Sequence, residues 1–121
     1  MTDRELLELA AKAYWGEEID DVCSIRYDES EQCICFIHGD NQDHNGLDRE
    51  FAWNPLTDDG DALRLSVKTG EPFVVRTRCV TTMGGLMENY DPDTRGDDLR
   101  ATRRLIVRAA AAIQLAREAK S

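Results

Sequence analysis

Apolar residues recur at helical spacing in three places along the chain and at alternate positions between them. Leu6, Leu7, Ala10, Ala11, Ala13 and Tyr14 follow Thr2 and Glu5, which sit at capping-box spacing. The pattern predicts a helix from about Asp3 to Tyr14 or Trp15, with Gly16 ending it. Val22–Asp28 and Cys33–His38 then read as two β-strands joined by the polar connection Glu29-Ser30-Glu31-Gln32, an antiparallel hairpin. In the second strand Cys33, Cys35 and Ile37 alternate with Ile34 and Phe36. Both faces are therefore apolar, and the sheet is expected to be covered on both sides.

Gly39–Glu50 has no apolar period and the composition of an exposed, mobile loop. Thr57 or Asp58 caps a second helix, in which Asp58, Asp59 and Asp61 put negative charge where the helix dipole favours it; Gly70 and Pro72 stop it. Phe73–Val80 alternates as a third strand, with Arg76 and Arg78 on one face, and Leu86–Tyr90 supplies a short fourth. Asp91–Asp98 is turn-rich. A last helix opens at Asp97 or Asp98 and runs to about Ala119, with Leu99, Ile106, Ala109, Ala110, Ile113 and Ala116 on its apolar side. This order predicts an α+β fold, a small mostly antiparallel sheet covered by helices in an α/β/α layered sandwich.

With 121 residues the chain is expected to be a single domain, residues 1–121, large enough for one core. No apolar run approaches the roughly 20 residues needed to span a bilayer, so no membrane partner is expected. The start of the chain lacks a basic stretch followed by an apolar one, which points to a reducing, cytoplasmic setting. Charge is unevenly distributed. Residues 1–61 carry 17 acidic and four basic side chains, residues 62–121 seven acidic and eleven basic, within a net charge of −9. An acidic half opposes direct nucleic-acid binding, which needs clustered Lys and Arg; it suits solubility, or occupation of a basic site on a partner.

The segment Trp53-Asn54-Pro55-Leu56-Thr57-Asp58-Asp59-Gly60-Asp61-Ala62-Leu63-Arg64-Leu65 joins an aromatic anchor, a turn and an acid-capped helix start without a break. Together with the opening Arg4–Ala13 and the Arg-rich Ala101–Ala111, it resembles the phage ABA sandwich domain family of small tailed-phage and prophage proteins. The resemblance implies an α/β/α layered fold and a phage origin. It implies no general activity and no catalytic residues. The cysteine-bearing hairpin, the acidic 39–50 segment and the long 81–98 segment depart from the simpler family pattern, and a member-specific function is expected there.

Candidate chemistry is sparse. Cys33-x-Cys35-x-x-His38-x5-His44 offers zinc-ligand types, but Cys33 and Cys35 share a strand face that His38 does not, which opposes tetrahedral convergence; buried, inert thiols are the expectation. Asp91-x-Asp93-x-Arg95 departs from a calcium loop at its fifth and twelfth positions, where Arg95 and Thr102 stand. No metal, cofactor or catalytic residue is assigned, and no enzyme is expected. Trp53 is a core anchor or, alternatively, a stacking surface. Arg76, Arg78, Arg100, Arg103, Arg104 and Arg108 can neutralise the acidic half internally, join copies of the chain as a homo-oligomer, or hold a phosphate-bearing ligand.

The expected function is stoichiometric association with a host protein through an acidic surface of Asp40, Asp43, Asp48 and Glu50, a phage counter-defence or host-takeover role in the bacterial cytoplasm. The alternative is sequestration of a nucleotide signal, with Trp53 or Tyr90 stacking on a base and Arg76, Arg78, Arg103 or Arg104 on phosphate. A virion or assembly component is the third reading.

Overall fold

A computed structural model describes residues 1–16, 22–42 and 48–120, with side chains described for all of these except 22–24, 37–42 and 48–49. The elements are helix α1 (Asp3–Trp15), strands β1 (Val22–Asp28), β2 (Cys33–Gln42) and β3 (Asp48–Trp53), helix α2 (Asp59–Thr69), strands β4 (Phe73–Val75), β5 (Cys79–Thr82) and β6 (Met87–Asn89), and helix α3 (Asp97–Ala119). The fold is α+β. Its antiparallel pairing is divided between two three-stranded sheets, β1-β2-β3 and β4-β5-β6.

Local chemistry explains the helix boundaries. Thr2 Oγ1 accepts the Glu5 N–H at 3.1 Å, satisfying one of the orphan donors of α1. Asp58 does the same for α2, accepting the Asp61 N–H at 2.8 Å. Asp61 in turn accepts the Asn54 N–H at 2.9 Å, and the Asn54 side chain both accepts the Leu56 N–H and donates to the Gln32 carbonyl. The 53–61 segment is thus a closed hydrogen-bonded turn that fixes β3 to α2 and to the β1–β2 hairpin. Gly70 ends α2 in the left-handed region at φ 71°, where a side chain would be strained.

The three helices pack together, α1 and α2 both against α3, and each sheet lies on a helix. The buried Ile106, Val107, Ala110 and Ala111 of α3 meet Leu6, Leu7, Ala10 and Ala11 of α1 and Leu65 of α2. The small alanines let the helix axes approach closely. The β1-β2-β3 sheet applies Ile25, Tyr27, Ile34, Phe36 and Trp53 to this core, whereas the β4-β5-β6 sheet meets α3 through Val80 against Ala101 and Leu105.

Two expectations need correction. Residues 39–42 and 48–50 belong to strands β2 and β3, so the polar 39–50 segment is an extension of a sheet over much of its length and not a loop throughout; cross-strand pairing of Phe36 with Phe51 and Ile34 with Trp53 overrides the polar composition. Residues 73–80 form a hairpin, with Val75 paired to Val80 and the chain turning through Thr77 and Arg78. Arg76 and Arg78 therefore flank a turn and do not share a strand face. An ion pair also spans the β2 face that bears Cys33 and Cys35. Arg26 on β1 reaches Glu50 on β3 at 2.6 Å across the intervening strand, with the two side chains 51% and 44% exposed.

Candidate functional site

The sheet order leaves β1 at an edge: among the described residues no strand lies beyond it, so one side of its backbone has no ladder partner. Beside that edge runs α1. The residues Arg4, Glu8, Ala11 and Lys12, spaced to share one helix face, meet Ile25, Arg26, Tyr27 and Ile34 around a half-open groove of about 390 Å³. Its floor is apolar, with Ala11 and Ile34 buried and Ile25 partly so.

Its rim is charged and held in place. Arg4 donates to Glu8 at 2.7 Å and to Glu29 at 3.1 Å while its guanidinium lies 5.1 Å from the centre of the Tyr27 ring. Lys12 sits 3.6 Å from Glu118 at the end of α3, and Arg26 bonds Glu50 and, at 3.4 Å, Asp28. Hydrogen bonding to Glu8 raises the pKa of Arg4, and the charge of Glu50 raises that of Arg26, so both rim guanidiniums are permanent cations. An apolar floor, a charged rim and an open strand edge together suit an extended peptide, which can bond the edge backbone and seat alternate side chains in the groove.

The residues singled out from sequence are dispersed. Asp43 lies outside the described residues, and Asp40 and Asp48 are placed in β2 and β3 by backbone alone. Glu50 is committed to Arg26. Trp53 is 3% exposed and packs on Tyr14 and Trp15 with ring centres 5.5 and 5.1 Å apart; it is the core anchor, with no ring face open for stacking. Arg103 donates to the Leu56 carbonyl at 2.9 Å and pairs with Asp59 at 2.7 Å, and Arg104 pairs with Asp3 at 2.9 Å and Glu88 at 3.6 Å. These arginines neutralise the acidic half from within and tie α3 to α2, α1 and β6. Only Arg76, Arg78 and Tyr90 come together. The Tyr90 hydroxyl donates to the Arg76 carbonyl, and its N–H to the Arg78 carbonyl at 3.0 Å.

Asp91 accepts the Asp93 N–H and the Thr94 hydroxyl, and its own N–H donates to Asp97, so the calcium-like segment is a self-bonded turn ahead of α3. Among the described residues no group of three or more His, Cys, Asp or Glu is placed to hold a metal ion, and no described helix is long and apolar enough to cross a membrane. The groove residues Arg4, Glu8, Lys12, Arg26 and Tyr27 escaped sequence reasoning. Their helical spacing was visible, but the edge position of β1 depends on long-range pairing that the chain order alone does not reveal. No family model, curated protein or solved structure matches the chain.

Proposed function

We propose that this chain is a phage-encoded, non-enzymatic binding protein that acts in the host bacterial cytoplasm by one-to-one association with a host protein, as an inhibitor of a defence or housekeeping machine. The groove between α1 and the edge strand β1 carries this reading, because its apolar floor, rim of paired charges and open strand edge suit a segment of another protein. Phage origin rests on the resemblance of the Trp53–Leu65 turn and the flanking helices to the phage ABA sandwich family.

The test is capture from host lysate. One stoichiometric partner is expected, and it should be lost with Arg4→Glu/Lys12→Glu, a pair of exposed changes that reverses the rim. A parallel variant reversing Asp40, Asp43, Asp48 and Glu50 separates the acidic surface from the groove. Undiminished capture by both variants would sink the proposal.

A second reading, nucleotide sequestration, is favoured by one observation: Tyr90 bonds the backbone carbonyls of Arg76 and Arg78 at the β4–β5 turn, and the exposed Arg78 side chain has no partner among the described residues. A nucleotide at 100 times its Kd adds about 2.7 kcal/mol to stability, so melting temperatures across a nucleotide panel decide it. A flat panel removes it.

A further inference from the structure

Cys33 and Cys35 occupy alternate positions of β2 and so point to one face of the sheet, where their Sγ atoms lie 3.8 Å apart. Both are free thiols, nearly closed to solvent. A disulfide between them is sterically opposed. Two residues of extended strand separate parallel Cβ atoms by about 6.6 Å, whereas a disulfide requires about 4 Å. The side chains converge toward each other from separated anchor points, an arrangement that leaves a gap for an atom to bridge and not for a direct bond.

We propose that Cys33 and Cys35 form a two-thiolate site for a soft, thiophilic cation of the copper(I) class. Soft thiolate ligands select such ions, and a monovalent soft cation is satisfied by two sulfurs, whereas zinc takes four ligands. Binding forms two metal–sulfur bonds and releases two protons, leaving a bridge of net charge −1. The neighbouring cation, Arg26, is paired with Glu50 and Asp28, so it offsets this charge only when that pair opens. Arg26 is the cross-strand neighbour of Cys35, and its pair with Glu50 spans β2 beside the thiols. That ion pair faces solvent and can swing aside to admit the ion.

Anaerobic titration of the full chain with copper(I), in competition with a coloured chelator, tests the site. Wild type, Cys79→Ser and Cys23→Ser should each take up one tightly held equivalent. Cys33→Ser and Cys35→Ser should lose affinity on the order of 100-fold, since each removes one arm of a chelate. Equal affinity in either single variant overturns the proposal, as does loss on replacing Cys79 or Cys23. X-ray absorption of the copper-loaded wild-type chain needs no variant to fold: a first shell of two sulfurs supports the site, and three sulfurs or a nitrogen shell refutes it.

Discussion

The two sheets of this molecule are both three-stranded and antiparallel, yet they are held by different forces. The β1-β2-β3 sheet is anchored by aromatic packing. Tyr14, Trp15, Phe36, Phe51 and Trp53 form a continuous ring cluster, with Trp15 and Phe36 4.9 Å apart and Phe36 stacked on Phe51 at 5.5 Å. The β4-β5-β6 sheet has strands of three or four residues and a core of Val80, Ala101 and Leu105, with Val74, Val75 and Met87 about half exposed. Charged bonds supply what packing does not. Arg108 donates to Glu88 and to the Met87 carbonyl, both at 2.8 Å, and Arg100 donates to the Asn89 carbonyl at 3.3 Å. A sheet too small to bury its own side chains is fastened to its helix by arginines reaching over β6.

The contrast is broken most severely at Trp53. Truncating a buried aromatic removes its transfer energy and leaves a cavity, so Trp53→Ala should cost about 3–5 kcal/mol in urea denaturation. Val80→Ala, which removes two methyl groups from the smaller cluster, should cost about 2 kcal/mol. The indole N–H of Trp53 has no hydrogen-bond partner among the described residues, so Trp53→Phe should recover most of the loss. A Trp53→Ala cost no larger than that of Val80→Ala would mean that the aromatic cluster is not the stronger anchor.

Glu88 sharpens the comparison from the other side. Its carboxylate is 17% exposed and accepts from Arg108 while lying 3.6 Å from Arg104, so one residue fastens β6 to two turns of α3. Glu88→Ala removes the carboxylate from Arg108, which keeps the Met87 carbonyl, and the more distant of two carboxylates from Arg104, which keeps Asp3, and should cost about 1 kcal/mol. Hydrogen exchange gives the regional reading: amides of β5 and β6 should lose protection while those of β2 and β3 keep theirs. Uniform loss across both sheets would show that they unfold as one unit.

The same contrast explains what was legible in the sequence. Helices α1, α2 and α3 were readable because caps and apolar periods are local: Thr2 with Glu5, Asp58, Gly70, and the Ala-rich stripe after Asp97 all act within a turn or two. The Trp53 anchor was readable because a large aromatic next to an Asn-Pro turn has few other uses. Strand β3 was missed because Asp48, Glu50 and their neighbours look like loop residues until Phe51 and Trp53 are paired across to Phe36 and Ile34. The β4–β5 turn was missed because Thr77 and Arg78 carry no Gly, Asn or Pro to mark it. The candidate groove was legible only as a charged helix face; its other wall is set by sheet order.

The smallest expected effect concerns acid. Asp28 closes the β1–β2 hairpin, and the Ser30 hydroxyl, followed by the Glu31 N–H, holds its carboxyl below the ordinary carboxylate value. Asp97 opens α3, where Arg100 and then the Asp91 N–H hold its pKa down in the same way. A carboxyl with a lower pKa folded than unfolded adds stability at pH values above its unfolded pKa of about 3.9. That stability is lost as pH falls through the folded value. Urea midpoints measured from pH 6 to pH 2 should therefore decline below about pH 4, and Asp28→Asn and Asp97→Asn should each flatten the decline. Because one residue belongs to the aromatic sheet and the other to the turn leading into α3, local exchange at low pH separates them: Asp28→Asn should loosen the β1–β2 turn, and Asp97→Asn the 91–98 segment. An acid limb as steep in both variants as in the wild type would place the acid sensitivity on other carboxylates.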